Sequence, residues 1–397
     1  MKPAPAAWEP DFSLVLGGPL FQLFRRAHLS GEALELARRR VLFISCVAWL
    51  PLLVLSAFAG QVEGGGVKVP FLYDVETHVR FLIALPLLIG AERLAHLQIR
   101  PVVSQFLERG IVAGLPQFKA AVDSTMRLRN SMVGEVALLA LVYTLGLWVW
   151  RSQTALETAT WYAIPQDTQT RLTPAGYWYV LVSLPLFQFI LLRWYLRFFL
   201  WFWFLWRVSR LDLRLVAIHP DRAAGLGFLT RSTQAFVPVL LAQGAALAGV
   251  IASQVLYAGH SLMEYKVEAA GFLAFFVAVA LSPLLVFMPQ LARVRREGLA
   301  AFGALASRYV AGFEDKWMRG GMRAGASADD ALLGSSDIQS LADLGNSYGV
   351  VTEMRFVPFG LKDVIALAVP AAAPFLPLLL TVFSFEELAA QLLKVLF

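Results

Sequence analysis

A single cysteine among 397 residues, Cys46, excludes an intrachain disulfide and any thiolate metal cluster. The five histidines, His28, His78, His96, His219 and His260, nowhere fall at metal-ligand spacing. The chain has no nucleophile-elbow serine, no P-loop and no paired-histidine helix. Inside its apolar runs no acid lies deeper than Glu135, whereas proton-coupled transport leaves carboxylates at mid-membrane. No internal repeat is visible, so an inverted-repeat transporter lacks support. These absences weigh against an enzyme, and no cofactor and no metal are expected. Charge is scarce too: 16% of residues, against about 25% in a soluble domain.

What is abundant is apolar surface. Hydrophobic residues make up 58% of the chain, with mean hydropathy +0.63. Several runs reach the roughly 20 residues that cross a bilayer. The expected fold is an all-α polytopic integral membrane protein with about seven transmembrane helices, over 41–60, 79–98, 132–150, 176–206, 234–258, 269–291 and 364–383. Of the 34 lysines and arginines, 26 fall in alternate loops on one side and six on the other. Basic loops stay in the cytoplasm, which predicts a cytoplasmic N-terminus, an outer C-terminus and residence in the plasma (inner) membrane. The net charge of +6 follows from this asymmetry, and no nucleic-acid partner is implied.

The predicted cytoplasmic side holds a small helical layer. Residues 1–40 lead into the first span, and "FSLVLGGPLFQLFRRAHL" suits a helix lying in the membrane interface. Spans one to six occupy 41–291, with inner loops 100–131 and 207–233. Residues 292–362 form a helical segment broken by the linker 318–335, a candidate surface for a cytoplasmic protein partner. The remainder, 363–397, is a proline-kinked span followed by a short amphipathic helix.

Span four poses the sharpest question. "LLRWYLRFFLWFWFLWRVSRLDLR" embeds Arg193 and Arg197 in aromatic sequence. Either they snorkel to headgroups while the aromatic run lies in the interface, or they stay at depth and find a partner. Glu135, near the inner end of span three, is the candidate partner, and Glu92 and Arg93 could join the same layer. With Arg207, Arg210 and Arg214 the arginines fall within an arc of about 140° if one helix runs throughout. Such a stripe could line an anion route or hold lipid phosphates.

The next loop reads "HPDRAAGLGF". Its His-Pro-Asp string resembles the J-domain signature, but span five follows too soon for the rest of that domain. Pro220 and Asp221 suit a helix start. His219 and Arg222 are candidates for binding an anion or a headgroup. Span seven carries Pro370, Pro374 and Pro377, each freeing a carbonyl four residues earlier, so it is expected to kink and to face protein or a wet cavity.

Three functions are compatible with this reading. The leading one is an oligomeric channel or channel-like permease for small ions, lined by span four or span seven. The others are a non-catalytic sensor or scaffold, and a lipid-handling protein whose arginines bind headgroup phosphates. Membrane lipids and further copies of the chain are the expected partners.

Overall fold

The computed structural model describes residues 10, 12–18, 37–154, 159–166, 169–319 and 336–379. The expected C-terminal amphipathic helix lies outside them, as do most of the 318–335 linker and residues 19–29 of the expected interfacial helix. Among the described residues seven helices are long and apolar enough to cross a membrane: Arg38–Phe58, Val75–Glu108, Met132–Ser152, Pro174–Ser209, Gly227–Ala258, Leu262–Leu285 and Leu361–Leu379, here spans one to seven. The described residues are predominantly helical, and the seven apolar helices are those of a multi-pass membrane protein. Among the described residues the only sheet is the hairpin Ala163–Gln166 with Gln169–Leu172, between spans three and four.

Spans two and four outrun the sequence expectation, and their added turns carry buried residues: Glu76, Val102, Val103 and Phe106 in span two and Ala175 and Val208 in span four. Span four is continuous over 36 residues, about 54 Å at 1.5 Å per residue. Its aromatic segment is therefore not a separate helix in the interface. Trp201, Phe204 and Leu205 are buried there. Phe204 meets Phe12 at 4.7 Å and Phe118 at 6.0 Å between ring centroids, and Phe106 packs on Phe118 and Phe228. This aromatic core joins span four to the helix Leu115–Arg129 below span three.

Residues 12–18 also depart from expectation. They are not helical and do not lie on lipid; Phe12, Leu14 and Val15 are buried in the same core. Arg129 Nη1 donates to the Ser13 carbonyl at 2.5 Å, and Gly18 N–H to Asn130 Oδ1 at 3.0 Å. Gly17 is required at this crossing: it has φ +139°, and a Cβ there would stand 2.5 Å from Arg129 Nη2.

Prolines within the spans free carbonyls that lipid cannot satisfy, and at three of them a side chain of the protein takes the carbonyl up. Pro51 frees Val47 O, which accepts from Trp178 Nε1 at 3.2 Å. Pro185 frees Leu181 O, which accepts from Tyr143 Oη at 3.0 Å. Pro283 frees Val279 O, which accepts from Ser282 Oγ at 2.9 Å. Just before Pro86 and Pro185 the helix widens into π-turns at Val79–Ala84 and Tyr179–Ser183, which make room for the proline rings.

After span six the chain breaks at Val286–Phe287, and Met288–Phe313 runs on as a separate helix into a π-turn ending at Arg319. Ser336–Thr352 packs back along it. Asp337 ties the pair, accepting from Lys316 Nζ at 2.8 Å and Trp317 Nε1 at 3.1 Å. Those two bonds hold its carboxyl below the usual carboxylate range.

Candidate functional site

Spans two and four carry charge at two levels. At the level nearer the basic loops, Glu92 of span two is buried and receives two guanidiniums. Arg197 Nη2 of span four lies 2.5 Å from its Oε1, and Arg40 of span one pairs with its Oε2. Beside them Arg193 Nη2 lies 3.5 Å from Glu135 Oε1 of span three. One layer thus joins four spans, with three arginines around two glutamates. Arg197 is 3% exposed and lies 4.5 Å from the centroid of the Trp194 ring, so it does not reach headgroups. Arg93 points away and is exposed, because adjacent residues on a helix diverge.

The second level is nearer the β-hairpin. Glu76 and Arg80, one turn apart on span two, form a buried pair, and Arg80 also donates to the Tyr179 hydroxyl of span four. Asp74 caps the start of span two. It accepts from Thr77 N–H at 3.1 Å, Thr77 Oγ1 at 2.8 Å and Trp161 Nε1 at 2.8 Å. Tyr179 stacks on Tyr162 at 5.6 Å, with Trp150 and Trp161 edge-on. Arg80 and Glu92 are twelve positions apart on span two, about 18 Å of helix. Between them Ala84, Leu85, Leu88, Leu184, Phe187 and Ile190 are buried. The two polar levels are therefore separated by packed apolar side chains.

The remaining arginines do not continue one stripe. The helix ends at Ser209, so Arg210 is its C-cap and Arg214 lies in an extended segment whose N–H donates to Ile111 O. Arg207 lies 5.9 Å from the Trp203 ring centroid and Arg210 5.3 Å from that of Trp206.

The His219–Pro220–Asp221 string is not a helix start either. It is a turn, and the helix begins only at Gly227 as a 3-10 segment. Asp221 folds back to accept from the N–H groups of Ala223 at 2.8 Å, Gly225 at 3.1 Å and Gly227 at 2.8 Å. Arg222 and Ala224 take left-handed φ of 56° and 54° to present those amides. The cradle that could hold an anion is thus filled by the chain's own carboxylate. Burial raises the Asp221 pKa, but the bonds from Ala223, Gly227 and Gly225, with His219 beside it, outweigh burial and hold it below the usual range. Arg222 pairs with Glu353 at 2.8 Å, and His219 Nδ1 lies 2.9 Å from Asp221.

In span seven the helix passes through Pro370 and tightens to a 3-10 turn at Ala373–Phe375. The Ala371 carbonyl abuts Gly244 of span five so closely that a Cβ there would lie 2.1 Å from its oxygen. Pro374 and Pro377 line a groove of about 390 Å³ whose other walls, from Val75 to Leu378, are apolar. One side of span seven thus packs on span five and an apolar groove, but Leu361, Ile365, Val369 and Leu376 are exposed, so the expectation that the span is enclosed by protein or lines a wet cavity does not hold.

Sequence reasoning missed Arg40, Glu76, Arg80 and Tyr179. Arg40 looked like one more basic residue ahead of span one, and Arg80 like a loop charge. The spacing in "ETHVR", an acid four residues before an arginine, was the available signal. Among the described residues no cluster of three metal-ligating side chains occurs. No known protein family, curated protein or solved structure matches this chain.

Proposed function

We propose that the chain is a non-catalytic sensor or scaffold of the plasma (inner) membrane, N-terminus cytoplasmic and C-terminus outside, with the helical pair 288–352 as its working surface. The observation that carries this reading is a latch between that pair and the loop joining spans four and five. Arg355 N–H donates to Arg222 O at 2.8 Å, and its Nη2 donates to Asp221 O at 3.0 Å. Arg222 pairs with Glu353 just beyond the second helix, and within the helical pair Arg295 donates to Thr352 O at 2.8 Å. The pair is thus tied to the spans through the strained turn that Asp221 organises. Two features support a sensor over a conduit. The buried arginines Arg193 and Arg197 are matched by carboxylates, and the groove beside span seven is apolar.

Two measurements test it. A photoreactive residue at Leu305, Val310 or Ile338, each more than 40% exposed on the helical pair, should give discrete protein adducts in intact membranes. Reconstituted protein should pass no ionic current. Currents altered by Arg193→Ala or Arg197→Ala, with no adducts from the helical pair, would restore the channel reading.

A further inference from the structure

Spans four and six pack together, and two pockets follow one another along them toward the basic end. The upper one is a groove of about 420 Å³ walled by six aromatic rings, Val279 and Ser282. In it Tyr195 of span four stacks on Phe276 of span six at 6.0 Å. One helical turn below Phe202 and three residues below Ser282 lies the second, a cavity of about 510 Å³. That cavity holds Trp206, Ser209 and Arg210 from the end of span four and Gln290 and Arg293 from the start of the next helix. The break at Val286–Phe287 lies at this cavity, whose lining takes Leu285 and Val286 from its near side and Pro289, Gln290 and Arg293 from the helix that follows.

We infer that these two pockets together bind one anionic glycerophospholipid of the leaflet at the basic end, acyl chain in the aromatic groove and phosphate between Arg210 and Arg293. The argument is charge complementarity joined to shape. Among the described residues neither Arg210 nor Arg293 forms an ion pair, whereas Arg40, Arg80, Arg193 and Arg197 all do. Two uncompensated guanidiniums at the mouth of an apolar groove favour a lipid of net negative charge over a zwitterionic one. Gln290 is occupied within the protein, its Nε2 donating to Ser209 O, and leaves the phosphate to the two arginines. Phosphatidylglycerol carries the required net negative charge, and the basic loops assign this end to the cytoplasmic leaflet.

The test is a lipid titration of the full-length protein in detergent, read by native mass spectrometry. Phosphatidylglycerol and phosphatidylethanolamine of identical chains are compared, with glycerol 1-phosphate as competitor. Phosphatidylglycerol should bind more tightly than phosphatidylethanolamine. Arg210→Ala with Arg293→Ala should weaken phosphatidylglycerol at least about tenfold and leave phosphatidylethanolamine unchanged. Arg151→Ala with Arg171→Ala, exposed arginines at the opposite end, should leave both lipids unchanged. Val279→Trp, which fills the groove and leaves both arginines in place, should also weaken phosphatidylglycerol. Equal binding of the two lipids by the unaltered protein would overturn the proposal, as would an equal loss in the two arginine pairs or no loss with Val279→Trp. Displacement by an equal concentration of glycerol 1-phosphate would mark a soluble-phosphate pocket and overturn it as well.

Discussion

The two charged levels of spans two and four are equally buried and built on opposite plans. At the β-hairpin level the ion pair is local: Glu76 and Arg80 lie one turn apart on a single helix, and span four contributes only the Tyr179 hydroxyl. At the basic level every pair crosses between helices, and Glu92 holds Arg40 of span one and Arg197 of span four together. The first arrangement can form as span two forms. The second exists only once four spans have assembled. Their net charges differ in sign as well, since Asp74, Glu76 and Arg80 sum to one negative charge and the Glu92 layer to one positive. A local pair fixes one helix end, while a shared carboxylate fixes the bundle, so the two should fail differently.

The largest effect is expected at Glu92. Glu92→Ala leaves two buried guanidiniums without their carboxylate, and removing one partner of a buried pair costs about 3–5 kcal/mol. Glu76→Ala strands only Arg80, which keeps the Tyr179 hydroxyl, so its loss should stay near the low end, about 3 kcal/mol. Unfolding of the detergent-solubilised variants measures both. Equal losses would erase the distinction drawn between the levels.

A double-mutant cycle sharpens it. Arg197→Met combined with Glu92→Gln should cost less than the two singles added, with a coupling of about 1–3 kcal/mol. Arg40 remains in the double variant, so the coupling should not cancel the whole loss. Additive losses would mean that Arg197 and Glu92 act independently. Tyr179→Phe should cost less than any carboxylate removal, about 1–3 kcal/mol, because Arg80 loses one acceptor and keeps its counter-charge. If Tyr179→Phe proved as damaging as Glu76→Ala, the β-hairpin level would also depend on contact between spans.

These differences explain which parts were legible in sequence. The seven spans were, because twenty apolar residues in a row have few other fates. The partnership of Arg193 with Glu135 was weighed because both lie in long apolar runs. Glu92 as the centre of the layer was not assigned, since its partners Arg40 and Arg197 are 52 and 105 residues away and no local pattern records such distances. The aromatic segment of span four misled for a related reason. Tryptophan and phenylalanine beside arginine suit both a lipid interface and a protein core, and the choice depends on what Phe12, Phe106 and Phe118 do elsewhere in the chain. The loop at Asp221 misled through a single side chain. Proline followed by aspartate fits a helix start, and only the fold-back onto three amides distinguishes the turn.

Asp221 is also the control for the whole comparison, because it does outside the spans what Glu92 does within them. Both carboxylates organise several donors, but the donors of Asp221 are neutral amides and its surroundings are partly wet. Removing it strands no charge. Asp221→Ala should therefore cost less than any change in the charged levels, about 1–2 kcal/mol for amides that water can partly re-satisfy. Its effect should also depend on pH with a definite sign. The folded-state pKa lies below the ordinary 3.8, so the bound carboxylate adds stability that is fully present above that value. The contribution is lost as pH falls through the folded pKa, below about 3.8, where the protonated acid accepts fewer bonds. Amide exchange of Ala223, Gly225 and Gly227 should accelerate in that range in the unaltered protein. In Asp221→Ala it should be fast at every pH, apart from the ordinary chemical dependence. The latch should loosen with it, because Arg355 donates to the Asp221 carbonyl and Arg222 places its own carbonyl over Arg355 N–H. Exchange at residues 349–355 should rise in the variant at neutral pH. Protection of Gly225 and Gly227 that survives Asp221→Ala would mean that the backbone turn holds itself, leaving the carboxylate no organising role.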